Sequence, residues 1–78
     1  MTSRQPRVTA GQVARVLEKI GFSLARQSGS HQIYKNGAGK RVTVAFHTGK
    51  ILHPKALKNI LADAGLTVEE FLQLLQDP

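Results

Sequence analysis

No cysteine occurs anywhere in the 78 residues, which excludes disulfides and thiolate metal sites. Tryptophan is missing too, and the aromatic set is only Phe22, Phe46, Phe71 and Tyr34. No apolar run approaches the ~20 residues that span a bilayer. The opening segment, Met1 to Arg7, is polar and has nothing like the apolar stretch of a signal peptide. Cytoplasmic residence is therefore the expectation. Acidic residues are the scarcest charged type, five against eleven Lys and Arg. The formal charge of +6 and the pI near 10.4 point to a polyanionic partner: nucleic acid, an acidic protein or, less readily, a membrane surface. Simple solubility is the plainer explanation of such a charge.

The charge is unevenly distributed. Residues 4 to 58 carry all eleven basic residues and a single acid, Glu18. Residues 59 to 78 carry no Lys or Arg and four acids, Asp63, Glu69, Glu70 and Asp77. An anion is drawn to one part of the chain and not to the other, which favours nucleic acid.

The periodicity predicts an α+β fold. Residues 1 to 7 read as a mobile basic tail and 8 to 78 as a single domain. Thr9 with Gln12 has the pattern of a capping box, and Val8 with Val13 that of a hydrophobic staple. Val13, Val16, Leu17 and Ile20 follow helical spacing, and Gly21 is placed to end the helix. Phe22 to Gln27 alternates as a strand with Phe22, Leu24 and Arg26 on one side, and Ser28-Gly29-Ser30 interrupts it. His31 to Lys35 is a second strand with Ile33 expected in the core. Asn36-Gly37-Ala38-Gly39 is a turn signal, and Arg41 to Phe46 a third strand with Val42, Val44 and Phe46 facing inward. Residues His47 to Leu52 read as a loop. Pro54 opens a second helix, carried by Leu57, Ile60, Leu61 and Ala64 and stopped by Gly65. Thr67 with Glu70, and Leu66 with Phe71, repeat the box and staple before a short third helix. Three strands in an antiparallel meander, covered by helices on one face, leave the other face for solvent or a partner.

The chemistry concentrates around Ser28-Gly29-Ser30-His31. An unperturbed imidazole titrates near ~6.5 and can take or give a proton at neutral pH. RNA supplies its own nucleophile, the 2′-hydroxyl beside each phosphodiester, so no metal is obligatory. Gly29 lets a phosphate approach the backbone, and the amides of Gly29, Ser30 and His31 could form an anion-binding nest. An ordinary turn bearing a surface histidine is the alternative. His47 comes within reach of His31 if the second and third strands pair, but the face each occupies depends on a register that the sequence leaves open. The three histidines, His31, His47 and His53, match no metal-ligand spacing.

Lys55 and Lys58 stand in the first turns of the second helix, where cations oppose the macrodipole unless an anion sits there. Lys35, Lys40 and Arg41 surround the hairpin tip and could follow a phosphate backbone. Lys50 and Ser30 are further candidates for phosphate contact. Solvated surface cations are the alternative for each, and Tyr34 is either a stacking platform for a base or a strand residue of the core.

Taken together, these segments resemble the HicA toxins, also called the YcfA-like family. The likeness runs from about Gly11 to Leu75. It rests on Gly21-Phe22, Arg26-Gln27-Ser28-Gly29-Ser30-His31, Tyr34, Arg41-Val42-Thr43-Val44 with His47, Pro54, Leu57, Ile60-Leu61, and Ala64 to Phe71. Ala45 differs from the proline common in relatives, and Lys55-Ala56 from their Gly-Thr. The resemblance implies a fold like a double-stranded RNA-binding domain with a short extra C-terminal helix. It implies a toxin of a type II toxin–antitoxin pair, acting as a metal-independent mRNA endoribonuclease without a cofactor. His31 would be its catalytic residue, with Gly29 in the accompanying turn, and a HicB-like antitoxin its partner. A non-catalytic RNA-binding module of the same fold, or an interaction domain with a basic docking face, are the alternatives.

Overall fold

A computed structural model describes residues 7–46 and 50–77. Its elements, in chain order, are α1 (Ala10–Lys19), β1 (Ser23–Ser28), β2 (His31–Lys35), β3 (Arg41–Ala45), α2 (Pro54–Ala64) and α3 (Val68–Gln76). The three strands form one antiparallel sheet in the order β1-β2-β3. This is the α+β arrangement of a double-stranded RNA-binding-domain-like fold with one more helix at its end. The expected tail lies outside the described residues, except for the exposed Arg7.

Local chemistry sets each boundary. The Thr9 hydroxyl accepts from the Gln12 amide while the Gln12 side chain accepts from the Thr9 amide, so two orphan donors of α1 are satisfied reciprocally. Thr67 and Glu70 do the same for α3. Val8 and Val13, the staple pair, are both buried. Gly65 ends α2 with φ 77°, a left-handed conformation that a side chain would strain. Lys19 closes α1 and reaches across to α3, donating to the carbonyls of Leu74 and Asp77. The cation thereby satisfies acceptors at the C-terminus of a second helix.

Val13, Val16, Leu17, Tyr34, Val42, Val44, Leu57, Ile60, Leu61 and Phe71 belong to one contiguous buried cluster. Helices α1 and α2 pack on the sheet through β3, and α3 packs on α1. One face of the sheet is thus covered by helices and the other is open.

The strands depart from expectation in two places. Tyr34, not Ile33, is the core residue of β2: Tyr34 is 4 % exposed and pairs with the buried Val42, whereas Ile33 is half-buried and pairs with the exposed Thr43. Both side chains are largely apolar, so alternation alone did not choose between them. The register settles the choice, because directly opposed residues share a face. A buried Tyr34 is also no stacking platform for a base. In β1, no residue is buried, and Leu24 is 47 % exposed. Phe22 is buried but precedes the strand, and Ser28 belongs to the strand rather than to the turn. The register shifts between Leu24, which opposes Tyr34, and Arg26, which opposes Ile33. Ala25 is the extra residue of a β-bulge, and it moves Arg26 from the side of Leu24 to the open face.

The Asn36 turn is held by its own side chain. Its Oδ1 accepts from the amides of Ala38 and Lys40, at 3.1 and 2.9 Å. Pairing of Lys35 with Arg41 directly follows, and that turn fixes the β2–β3 register.

Candidate functional site

Gly29 and Ser30 form a two-residue loop between the paired Ser28 and His31. Gly29 has φ 58° and no other residue of the loop has positive φ, the pattern of a type II′ hairpin turn. Nothing lies within 4 Å of where a Cβ on Gly29 would stand, so glycine is needed there for conformation, and the space above the backbone is open. The Gln27 side-chain amide donates to the Gly29 carbonyl at 3.2 Å, and the Phe46 amide donates to the Ser30 carbonyl. The first bond braces the turn against β1, and the second ties it to the end of β3.

The register decides the face of His31. It opposes Ser28 on one side and Ala45 on the other, and it shares its face with Ile33 and Lys35, two and four residues on. This is the open face, and His31 is exposed on it. A pocket beside Ala45 is lined by Lys50, Ile51, Leu52, His53 and Ala56. Lys50 and the N-terminus of α2 therefore lie at the His31 end of the sheet, with Lys55 next to His53 at the first turn of the helix.

His53 has a role that sequence reading missed. It is the N-cap of α2, and its Nδ1 accepts from the Lys55 amide at 3.1 Å. The signal available was its position immediately before a proline at the first helical position. An accepting Nδ1 requires the neutral imidazole with its proton on Nε2.

The remaining candidates are dispersed. Lys35 and Arg41 oppose each other at the far end of the sheet, four residues along β2 from His31. Lys40, beyond them, turns towards the C-terminus of α2, where its ammonium lies 3.1 Å from the position of a Cβ on Gly65. It complements the negative end of that helix. Lys58 lines a pocket with Thr67 and Val68 at the α2–α3 junction, away from the His31 end. His47, and with it the possible His31–His47 pair, lies outside the described residues. Among the described residues, no three His, Cys, Asp or Glu side chains come together as a metal-ligand set.

Electrostatically, the sheet is one-sided. No Asp or Glu occurs between Glu18 and Asp63, so no strand carries a carboxylate. On the covered face, burial and then the charge of Glu18 push the Tyr34 phenol upward.

Residues 10–66 match a family model described as the HicA toxin of bacterial toxin–antitoxin systems. The match covers most of the chain, from the first residue of α1 through the whole sheet and α2. The chain belongs to the HicA toxin family. Membership makes it the toxin of a toxin–antitoxin pair, with an antitoxin as the implied partner. The matched span contains His31 and its turn, and it stops before α3. No curated protein matches the chain. None of the described helices is long and apolar enough to cross a membrane.

Proposed function

We propose that this toxin is an endoribonuclease that cuts mRNA, with His31 carrying a proton in the reaction. The observation that supports it is the placement of His31. It is exposed at the end of the central strand on a carboxylate-free open face, beside a turn whose backbone is accessible, in a chain of the HicA toxin family.

The chemistry follows from the substrate. The 2′-hydroxyl attacks the adjacent phosphorus, and the bond from phosphorus to the 5′-oxygen breaks. The products are a 2′,3′-cyclic phosphate and a free 5′-hydroxyl. One proton leaves the 2′-oxygen and one reaches the 5′-oxygen. A single imidazole serves one of these transfers, as general base for the first or general acid for the second. The Gly29 turn lets the phosphate approach, and Lys50 and Lys55 supply positive charge at the same end. The internal nucleophile makes a metal-activated water unnecessary. A HicB-like antitoxin would silence the protein by covering His31. Residues 8–78 act as one domain in this reading, and the protein works in the cytoplasm.

The test is RNA cleavage in the presence of a chelator, parent against His31→Ala, with folding checked by circular dichroism. Loss of cleavage in a folded variant is expected. Undiminished cleavage contradicts the assignment, and RNA binding without cleavage by the parent points to a non-catalytic binding module.

A further inference from the structure

The open face holds a second basic feature away from the His31 turn. Ala25, Arg26, Ile33, Lys35 and Arg41 line one pocket there. Three of these five are cations. Lys35 and Arg41 are directly opposed across β2 and β3, a placement of like charges that destabilises a sheet. Arg26 joins them only because the bulge at Ala25 turns it to this face. All three are exposed, and no strand carries a carboxylate to neutralise them. Ile33 stands among them, half-buried. A sheet that opposes two cations and bulges to add a third has lost stability locally, and a bound polyanion would offset that loss.

We propose that Arg26, Lys35 and Arg41 form a phosphate-binding subsite for the RNA strand, separate from the point of cleavage. The subsite rests on the endoribonuclease reading and extends it. At a strand rise of ~3.3 Å per residue, the row of Arg26 and Ile33 lies about 7 Å from His31 and the row of Lys35 and Arg41 about 13 Å. One single strand of RNA running along β2 thus presents one phosphodiester to His31 and neighbouring phosphates to the three cations. Ile33 gives the strand an apolar floor between the charges, on which a ribose or base can rest. Lys40 has no part in this, since its ammonium sits at the end of α2. The subsite selects single strands of more than a few nucleotides by charge and length, not by base identity.

The test separates binding from cutting. In a His31→Ala background, a fluorescent twelve-nucleotide single-stranded RNA is titrated at a series of salt concentrations. Each lost phosphate contact lowers the slope of log affinity against log salt by ~0.7 for a single strand, so R26Q/K35Q/R41Q should lower it by about 2. Arg15→Gln, an exposed cation of α1, is the control. In the cleaving protein, the same triple variant should lose at least tenfold in kcat/KM on the twelve-nucleotide RNA and little on a dinucleotide. An unchanged salt slope overturns the subsite, as does an equal effect of Arg15→Gln and Arg41→Gln, which would mark a net-charge effect. Absence of RNA binding by the parent overturns it as well. Binding of poly-L-glutamate that the triple variant loses while keeping the parent's RNA slope assigns the face to an acidic protein segment instead. If the salt slope falls as expected but the parent never cleaves RNA, the subsite stands and the catalytic reading fails.

Discussion

The two faces of the sheet follow opposite rules. On the covered face, Tyr34 opposes Val42 and both are buried, and Val44 is buried beside them. These three side chains are packed and neutral, and the polar Gln32 on the same face accepts from the Tyr34 hydroxyl. On the open face, His31, Arg26, Lys35 and Arg41 are exposed, and two of the cations face each other across a ladder. One face contributes Tyr34, Val42 and Val44 to the core. The other gives up local stability to concentrate positive charge around a histidine. Residues adjacent in sequence fall on opposite sides of this division, so single substitutions in β2 should separate folding from function.

The largest expected effect is on the covered face. Tyr34→Ala should cost about 3–5 kcal/mol, the range for removing a buried aromatic side chain. Its neighbour Ile33→Ala, half-buried on the open face, should cost far less. Denaturant unfolding of both variants checks the contrast, and equal losses would break the division between the faces. For a chain this small, the Tyr34→Ala loss is a large share of total stability. A smaller effect concerns the helix that abuts the His31 end. His53→Ala removes the N-cap of α2 and should cost about 1 kcal/mol, read from the same unfolding experiment.

The next expectation has the opposite sign. Lys35→Gln relieves the repulsion with Arg41 and should raise stability by about 0.2–1 kcal/mol while weakening RNA affinity. A variant that loses both stability and affinity would show that the pair is structural. The smallest effect is a difference in slope with pH. Burial holds the folded Tyr34 phenol above its ordinary value, so the unfolded chain releases that proton first. This contribution is fully present below about pH 10 and is lost as the pH rises through the raised value of the folded state. Tyr34→Phe should flatten the alkaline loss measured by urea unfolding. At neutral pH it should also cost about 1 kcal/mol, because Tyr34 Oη donates to Gln32 Oε1 at 2.9 Å.

These contrasts also explain which features were legible in the sequence. The helices were, because Thr9 with Gln12, Thr67 with Glu70, Pro54 and Gly65 each carry a local chemical signal that tertiary packing did not override. The Asn36 turn was legible for the same reason. The division of β1 was not. A bulge adds one residue without a compositional mark, so strict alternation placed Arg26 with Leu24, on the wrong side. Ile33 and Tyr34 posed a different problem, since either could be buried, and only the long-range register with Val42 and Thr43 distinguishes them. The candidate site was legible as a motif around His31, but its grouping was not. Lys35 and Arg41 sit together at one end of the sheet and Lys50 and Lys55 at the other, while Lys40 and Lys58 turn elsewhere. Charge counted along a chain says nothing of how the strands sort it.

The central claim is that His31 performs proton transfer from the open face and contributes little to the fold. It is tested most directly by measuring kcat/KM for cleavage of a single-stranded RNA together with the unfolding midpoint, for the parent and for His31→Ala. The account predicts a loss of ~10²–10⁴-fold in cleavage, the usual worth of a positioned acid or base, with an unchanged midpoint. Cleavage within a few-fold of the parent would contradict it, as would a loss of cleavage that only tracks a loss of folded protein.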